Sequence, residues 1–225
     1  MAHSCVRRAE GTRGSMKYII MCGGRYDRWK TPRQLTMIRG EPVVLRTIRL
    51  LREAGVTDIS ISTNDDRFDQ CGVPILRHEN NFRGYVDRGT GGSWVEAFYP
   101  TDEPACYLLG DVVFSPEAIR TIAGTETDDI EFFASAPPFH RSYIKPHAEP
   151  FAFKVVDQKH FRDAVDFVRT HDDLFKRRPI AWELWQVING ENPNDINFRN
   201  YTVINDYTCD IDEPDDVEII ERVIT

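Results

Sequence analysis

The alternation of apolar and polar positions along the chain predicts strands and helices in turn. Helical spacing runs from about Glu41-Pro42 to Gly55, and the first two apolar runs lie on either side of it. This order indicates a βαβ unit and a sheet that is mostly parallel at its start. The runs typical of strands are Tyr18–Met21, Ile59–Thr63, Val73–Leu76, Cys106–Leu109, Ile130–Ala134, Phe151–Val156 and Tyr201–Ile204. Further helical patterns are Trp94–Phe98, Pro116–Ile122, Lys159–Arg169 and Ile180–Ile188.

Composition favours one large α/β domain. The chain has 225 residues, of which 41% are apolar, so it can bury a substantial core. Residues 1–15 have no periodicity and end in Gly-Ser directly before Met16. We interpret residues 1–15 as a tag or disordered leader and residues 16–225 as the domain.

Charge and hydropathy exclude several classes of protein. The formal charge of −8 argues against a nucleic-acid binder, which needs an electropositive face. No apolar run approaches the roughly 20 residues that span a bilayer, and the N-terminus lacks the apolar core of a signal peptide. We therefore expect no membrane partner and a cytoplasmic location. The cysteines Cys22, Cys71, Cys106 and Cys209 are widely separated, which argues against a zinc site or a disulfide framework.

The segment KYIIMCGGRYDRWKTPR predicts a phosphate-binding loop. Its apolar run stops at Gly23-Gly24, where main-chain N–H groups are not screened by large side chains. Four basic residues follow within nine positions, and together they can neutralise a triphosphate. They are Arg25, Arg28, Lys30 and Arg33. For any one of them a solvated surface position remains the alternative, and the loop has neither GxGxxG nor GxxxxGK[ST].

Two acidic segments predict a magnesium site. Asp111 follows an apolar strand and a glycine, at the strand end where open α/β sheets bind ligands. The alternative for Asp111 is a cap of the helix that begins near Pro116. Asp210 and Asp212, in DYTCDIDEPDD, are candidate partners, because Mg²⁺ takes a few carboxylates together with substrate phosphate oxygens. The acidic residues around Pro214 instead complement a helix dipole.

These motifs resemble a known family. MCGGRYDRWKTPRQL, IRGEPVVLRTIRLLREAGVTDISIS, GDVVFS and DIDEPDD are similar to segments of nucleotidyltransferases with the GT-A type fold, which act on sugar phosphates, polyol phosphates or phosphocholine. The resemblance implies a single-domain, Rossmann-like three-layer α/β sandwich with a mixed, mostly parallel central sheet. It also implies Mg²⁺ as the cofactor.

The resemblance also implies roles for particular residues. Arg28, Lys30 and Arg33 would stabilise charge at the reacting phosphate, and Asp111 would hold Mg²⁺ with Asp212 or Asp210. Two departures from the family pattern are Tyr26, where many members have glycine, and Arg33, where lysine is usual. The expected nucleotide-binding residues are Met21, Cys22, Gly23, Gly24 and Arg25 beside the phosphates and Gly92 and Ser93 beside the base. For Ser93 an N-cap is the alternative.

The acceptor side is predicted from a basic, proline-flanked segment. Arg141, Lys145 and His147 lie between two predicted strands and are candidates to bind an acceptor phosphate, with a solvated loop as the alternative. Trp182 and Trp185 share a helix face and belong either in the core or in a subunit interface, which leaves a homodimer open.

The function that follows from the resemblance is transfer of an NMP group from an NTP to a phosphorylated small molecule, with release of pyrophosphate. CTP is slightly favoured, and the product would serve as a precursor for a surface polysaccharide or lipid. One alternative is a GT-A glycosyltransferase, although Asp111 is followed by Val112 and Val113 and not by the usual Asp-x-Asp. The other alternative is a non-catalytic nucleotide-binding protein.

Overall fold

The structure, a computed structural model, describes residues 15–23, 29, 31–78, 94–136 and 148–224. Within these ranges seven strands form the central sheet: β1 (Lys17–Met21), β4 (Ile59–Thr63), β5 (Ile75–Arg77), β6 (Ala105–Leu109), β8 (Ile130–Ala134), β9 (Pro150–Val155) and β10 (Thr202–Val203). Two smaller sheets pair β2 (Met37–Ile38) with β3 (Glu41–Pro42) and β7 (Val112–Val113) with β11 (Cys209–Asp210). The α-helices are α1 (Val43–Glu53), α2 (Pro116–Gly124), α3 (Gln158–Thr170), α4 (Ala181–Ile188) and α5 (Pro214–Val223). None of the helices in the described ranges is both long and apolar enough to cross a membrane.

The order of the central sheet is β10-β8-β9-β6-β1-β4-β5. All neighbouring pairs run parallel except those of β9, which is antiparallel to both β6 and β8. The predicted mixed, mostly parallel sheet is therefore confirmed. Because β9 is reversed, its first residues lie at the same edge as the last residues of β1, β6 and β8.

Helices cover both faces of this sheet. In β1, Tyr18 and Ile20 face one hydrophobic cluster, and Ile19 and Met21 face another, as the alternation along a strand requires. The first cluster includes side chains of α1 and α2, and the second includes side chains of α3 and α4. The three-layer sandwich expected from the sequence is confirmed.

Several local predictions are wrong in detail. The helix expected from Glu41-Pro42 begins at Val43, because Pro42 has extended backbone (φ −59°, ψ 139°) and pairs with Met37 in a β-hairpin. That hairpin turns at Arg39 and Gly40, both with positive φ (52° and 82°). The helix expected at Trp94–Phe98 is a single 3-10 turn, Trp94–Ala97. A proline and a short apolar run fit either element, so tertiary pairing decides between them.

Trp182 and Trp185 are core residues of their own chain. Their side chains are 4% and 3% exposed, and both rings contact Phe132 of β8. Both residues belong to α4, and their rings are buried between this helix and the central sheet, which leaves neither ring available for a subunit interface.

Candidate active site

The site begins where β1 and β6 end side by side. Met21 pairs with Leu109, and the N–H of Gly110 donates to the carbonyl of Met21 at 3.1 Å. A Cβ atom at position 110 would lie 2.3 Å from that carbonyl oxygen and 2.9 Å from the Cys22 Sγ. The two strand exits can approach this closely because residue 110 is glycine.

We predict that Gly110→Ala destabilises the protein by about 3 kcal/mol, because the clash involves main-chain atoms that cannot rotate away. In a domain of this size the melting temperature should fall by several degrees, which calorimetry measures. Gly124→Ala is the matched control, since a Cβ at position 124 meets no atom within 4 Å. A Gly110→Ala protein that melts with the wild type would show that the two strand exits are not so tightly constrained.

The ladder between β7 and β11 brings the two predicted acidic segments together. Asp210 pairs with Val112, and the N–H of Ile211 donates to the carbonyl of Asp111 at 3.0 Å. Asp111 therefore lies beside the Asp210–Asp212 segment, although about a hundred positions separate them in the chain. The sequence analysis predicted that Asp111 and the Asp210–Asp212 segment lie together, and the short antiparallel pairing of β7 with β11 is what brings them together.

Arg33 bridges these carboxylates. Its Nη2 contacts Asp111 Oδ2 at 2.9 Å, and its Nη1 contacts Asp212 Oδ1 at 2.9 Å and the Ile211 carbonyl at 2.8 Å. Burial lowers the pKa of the guanidinium, but the charges of Asp111, Asp212 and Asp210 outweigh this and leave the pKa above its ordinary value. The fork of an arginine can reach two carboxylates at once, which a lysine ammonium cannot do with the same geometry.

Glu149 adds a further carboxylate that the sequence analysis missed. Oxygen atoms of Glu149, Asp210 and Asp212 all lie within 4.8 Å of one another, and Glu149 is 6% exposed. Asp111 is joined to this triad through Arg33. Closely spaced carboxylates repel unless a cation is shared among them, and hard oxygen donors are the ligands that Mg²⁺ prefers. The residues present therefore fit a bound Mg²⁺.

Main-chain hydrogen bonds fix the position of Glu149. Its N–H donates to Ser135 Oγ at 2.8 Å, and its carbonyl accepts from the Ser135 N–H at 2.9 Å. Ala148 accepts from the Trp182 indole at 3.3 Å. The sequence did carry a signal, a carboxylate directly before a strand, but its meaning depends on β9 being antiparallel.

The described part of the predicted phosphate-binding loop is anchored through its main chain. The N–H of Cys22 donates to Ser62 at 2.9 Å, and its carbonyl accepts from Thr63 Oγ1 at 2.9 Å. Burial raises the pKa of the Cys22 thiol well above its usual value, and Cys71 and Asp111 add to that shift. Met21 and Cys22 are both buried at the exit of β1, and their contribution to nucleotide binding stays a prediction.

The other predicted site residues lie outside the described residues and stay predictions. The predicted loop residues in this group are Gly24, Arg25, Arg28 and Lys30. The predicted base and acceptor residues in it are Gly92, Ser93, Arg141, Lys145 and His147. The described residues nearest to the predicted acceptor residues on either side include Ser135 and Glu149, which are hydrogen-bonded to each other.

Comparison with known families shows which protein family the chain belongs to. The model of the MobA-like NTP transferase domain matches residues 18–158, more than half of the chain. The chain belongs to the MobA-like NTP transferase family. The matched range of this MobA-like domain contains Arg33, Asp111 and Glu149, whereas Asp210 and Asp212 follow it. Among curated proteins no match was found.

Solved structures with similar folds span nearly the whole chain. The inositol-1-phosphate CTP transferase of T. maritima has a TM-score of 0.55 at 14% identity and covers 94% of this chain and 97% of its own. The CTP:phosphocholine cytidylyltransferase of Streptococcus pneumoniae has a TM-score of 0.52 at 15% identity, with coverages of 92% and 98%. A Bacillus anthracis protein assigned as a glucose-1-phosphate thymidylyltransferase has a TM-score of 0.53 at 16% identity, with coverages of 92% and 94%. The resemblance to nucleotidyltransferases noted in the sequence is confirmed at the level of family and fold.

Proposed function

We propose that this protein transfers an NMP group from an NTP, with CTP favoured, to a phosphorylated small molecule and releases pyrophosphate. The observation that carries the proposal is the bridge of Arg33 between Asp111 and Asp212 at the exits of β1 and β6. It places a cationic fork and a carboxylate triad at the sheet edge where α/β folds bind ligands. Family membership supports an NTP as the substrate.

The reaction needs no nucleophilic side chain. An oxygen of the acceptor phosphate attacks the α-phosphorus in line and forms the new P–O bond. The bond from the α-phosphorus to the bridging oxygen breaks, and pyrophosphate leaves with the electron pair. The protein contributes positioning and charge stabilisation.

The chain's own residues take the following roles in this proposal. Main-chain N–H groups at Gly23 and Gly24 approach the phosphates, and Arg25, Arg28, Lys30 and Arg33 balance their charge. Asp111, Asp210 and Asp212 hold Mg²⁺ together with Glu149, and the ion neutralises phosphate oxygens when it is bound. Gly92 and Ser93 lie beside the base, and Arg141, Lys145 and His147 bind the acceptor phosphate.

The preference for CTP rests on the similar structures. Two of the three named above are CTP enzymes, and their acceptors are phosphorylated or phosphate-containing small molecules. We extend the proposal to a cytoplasmic domain of residues 16–225, with residues 1–15 as a tag or disordered leader, that makes a precursor for a surface polysaccharide or lipid.

The test is a transfer assay with CTP labelled at the α-phosphorus. Glucose 1-phosphate, inositol 1-phosphate and phosphocholine serve as acceptors, each with and without Mg²⁺. We expect Mg²⁺-dependent label in a new product and an equal amount of pyrophosphate with at least one acceptor. Sugar transfer from a UDP-sugar with release of UDP, without pyrophosphate formation from any NTP, would favour the glycosyltransferase instead.

A further inference from the structure

Trp29 connects two segments that are far apart in the chain. The first is the phosphate-loop segment, residues 17–33, to which Trp29 belongs, and the second is the carboxylate segment, residues 206–216. The Trp29 indole Nε1 donates to the carbonyl of Asp212 at 3.1 Å. The partly buried ring packs against a small hydrophobic cluster formed where the β2–β3 hairpin, β7, β11 and α5 meet. The buried members of this cluster, here called the third cluster, are Ile38, Val43, Val113, Cys209, Ile211, Ile220 and Ile224.

Three groups of Asp212, its carbonyl, its carboxylate and its N–H, make hydrogen bonds or ion pairs with other residues. Its carbonyl accepts from Trp29, its carboxylate pairs with Arg33 at 2.9 Å, and its N–H donates to Asp216 Oδ2 at 2.9 Å. Trp29 and Arg33 belong to the phosphate-loop segment, whereas Asp216 belongs to the first turn of α5. The position of Asp212, one member of the triad, therefore depends directly on the positions of Trp29 and Arg33.

Such a connection has a thermodynamic consequence. Trp29 lies between Arg28 and Lys30, both predicted to contact the nucleotide, while its indole contacts the main chain of a proposed metal ligand. When one structural element contributes to two binding sites, a ligand at one site changes the affinity of the other site. The two ligands change each other's affinity by the same factor. Arg33 contacts the carboxylate of Asp212 directly, whereas the Trp29 indole contacts the main-chain carbonyl of the same residue.

We propose that Trp29 is a positioning residue that couples Mg²⁺ binding at the carboxylate triad to nucleotide binding at the phosphate loop. The inference rests on the proposed function. It assigns to the Trp29–Asp212 hydrogen bond part of the gain in nucleotide affinity that Mg²⁺ provides. Removal of that bond leaves each site its own ligands and reduces the coupling between them.

The first test compares Trp29→Phe with the wild type in calorimetric titrations of CTP, UTP, GTP and ATP with and without Mg²⁺. Phenylalanine keeps an aromatic ring in the third cluster and removes the N–H donor. We expect the Mg²⁺-dependent gain in NTP affinity to fall by about two- to tenfold, the range for loss of one hydrogen bond. Affinity for NTP without Mg²⁺ should change less.

The matched control is Tyr207→Phe. Tyr207 also packs on the third cluster, and its hydroxyl accepts a hydrogen bond from Arg46 at 3.1 Å rather than contacting Asp212. This variant should keep the wild-type Mg²⁺ gain. An equal loss in both variants, or an unchanged gain in Trp29→Phe, would overturn the positioning role while leaving nucleotidyl transfer intact.

A second measurement uses the wild-type protein and does not depend on folding of the variant. The indole N–H resonances are followed by NMR during titration with Mg²⁺ alone. The Trp29 resonance should shift, whereas that of Trp185, which donates to Arg199 at 2.9 Å, should not. A Trp29 resonance that stays fixed while the Asp212 amide shifts would contradict the coupling. If no resonance near the triad responds, both the coupling and the proposed metal site are wrong.

Discussion

Replacement of Asp212 by asparagine is expected to lower kcat by about a hundred- to a thousandfold. The carboxylate of Asp212 pairs with Arg33 at 2.9 Å and also belongs to the triad with Glu149 and Asp210. Asparagine preserves the size of the side chain but removes the negative charge that both the guanidinium and a divalent cation require. The measurement is pyrophosphate release at saturating NTP and Mg²⁺, with the acceptor that supports wild-type turnover.

Asp215→Asn provides the matched control for this substitution. Asp215 is exposed in the first turn of α5, three positions from Asp212, and the replacement removes the same charge from the same segment. We expect only a small loss of stability from the weaker interaction with the helix dipole, and a kcat near that of the wild type. If the folded Asp212→Asn protein turned over within about threefold of this control, the carboxylate triad would not be part of the catalytic machinery.

The second large effect is expected at Arg33. Arg33→Ala should lower kcat/KM by about a thousandfold, because it removes a positive charge from the proposed phosphate site. Arg33→Lys should lose about ten- to a hundredfold, since one ammonium group cannot reach Asp111, Asp212 and the Ile211 carbonyl as the fork does. Steady-state kinetics over a range of NTP concentrations measures both values.

Removal of Arg33 should also change metal affinity in the opposite direction. Without the guanidinium, the charges of Asp111 and Asp212 are less compensated and attract a divalent cation more strongly. Arg33→Ala should therefore bind Mg²⁺ alone more tightly than the wild type while it binds NTP more weakly. Arg49→Ala, which removes surface ion pairs with Glu41 and Glu53, should alter neither affinity. A parallel loss of Mg²⁺ and NTP affinity in Arg33→Ala would indicate general unfolding of the site.

Local patterns were sufficient to predict the elements that carry most of the site. The strand Lys17–Met21 and the strand Ala105–Leu109 are apolar runs that end in glycine, and both lie in the centre of the sheet. Because parallel strands place their carboxyl ends at one edge, the sequence could also predict that Asp111 lies near the phosphate loop. Asp210 and Asp212 were candidate partners of Asp111 because Mg²⁺ takes a few carboxylates, and the resemblance to a family supported that choice.

The sequence could not reveal the part of Glu149 in the site. That role depends on β9 inserting antiparallel between β6 and β8, a pairing between residues far apart in the chain. An apolar run such as Phe151–Val156 reads the same in either direction, so its orientation is set only by the assembled sheet. The two-residue strands β7 and β11 are likewise too short to produce a periodic signal, although their pairing brings Asp111 beside the Asp210–Asp212 segment.

Trp29 was missed for a different reason. Functional roles were predicted for its basic neighbours Arg28 and Lys30 but not for Trp29. The sequence around a single aromatic residue in a basic loop does not indicate which residue its side chain contacts. The hydrogen bond of Trp29 to Asp212 spans 183 positions of the chain. Contacts of this kind are determined by the packing of α5 and the β2–β3 hairpin around the third cluster, which is a property of the whole fold.

The most direct test of the account is the affinity of the wild type and of Asp212→Asn for CTP, UTP, GTP and ATP, each with and without Mg²⁺. This measurement requires no knowledge of the acceptor. Thermal unfolding detects NTP binding, because a ligand at about 100 times its Kd adds about 2.7 kcal/mol to the free energy of unfolding. We predict that at least one NTP stabilises the wild type more with Mg²⁺ than without, and that Asp212→Asn loses this gain. No response to any NTP with Mg²⁺, or a gain that Asp212→Asn retains in full, would contradict a metal-assisted nucleotide site at these carboxylates.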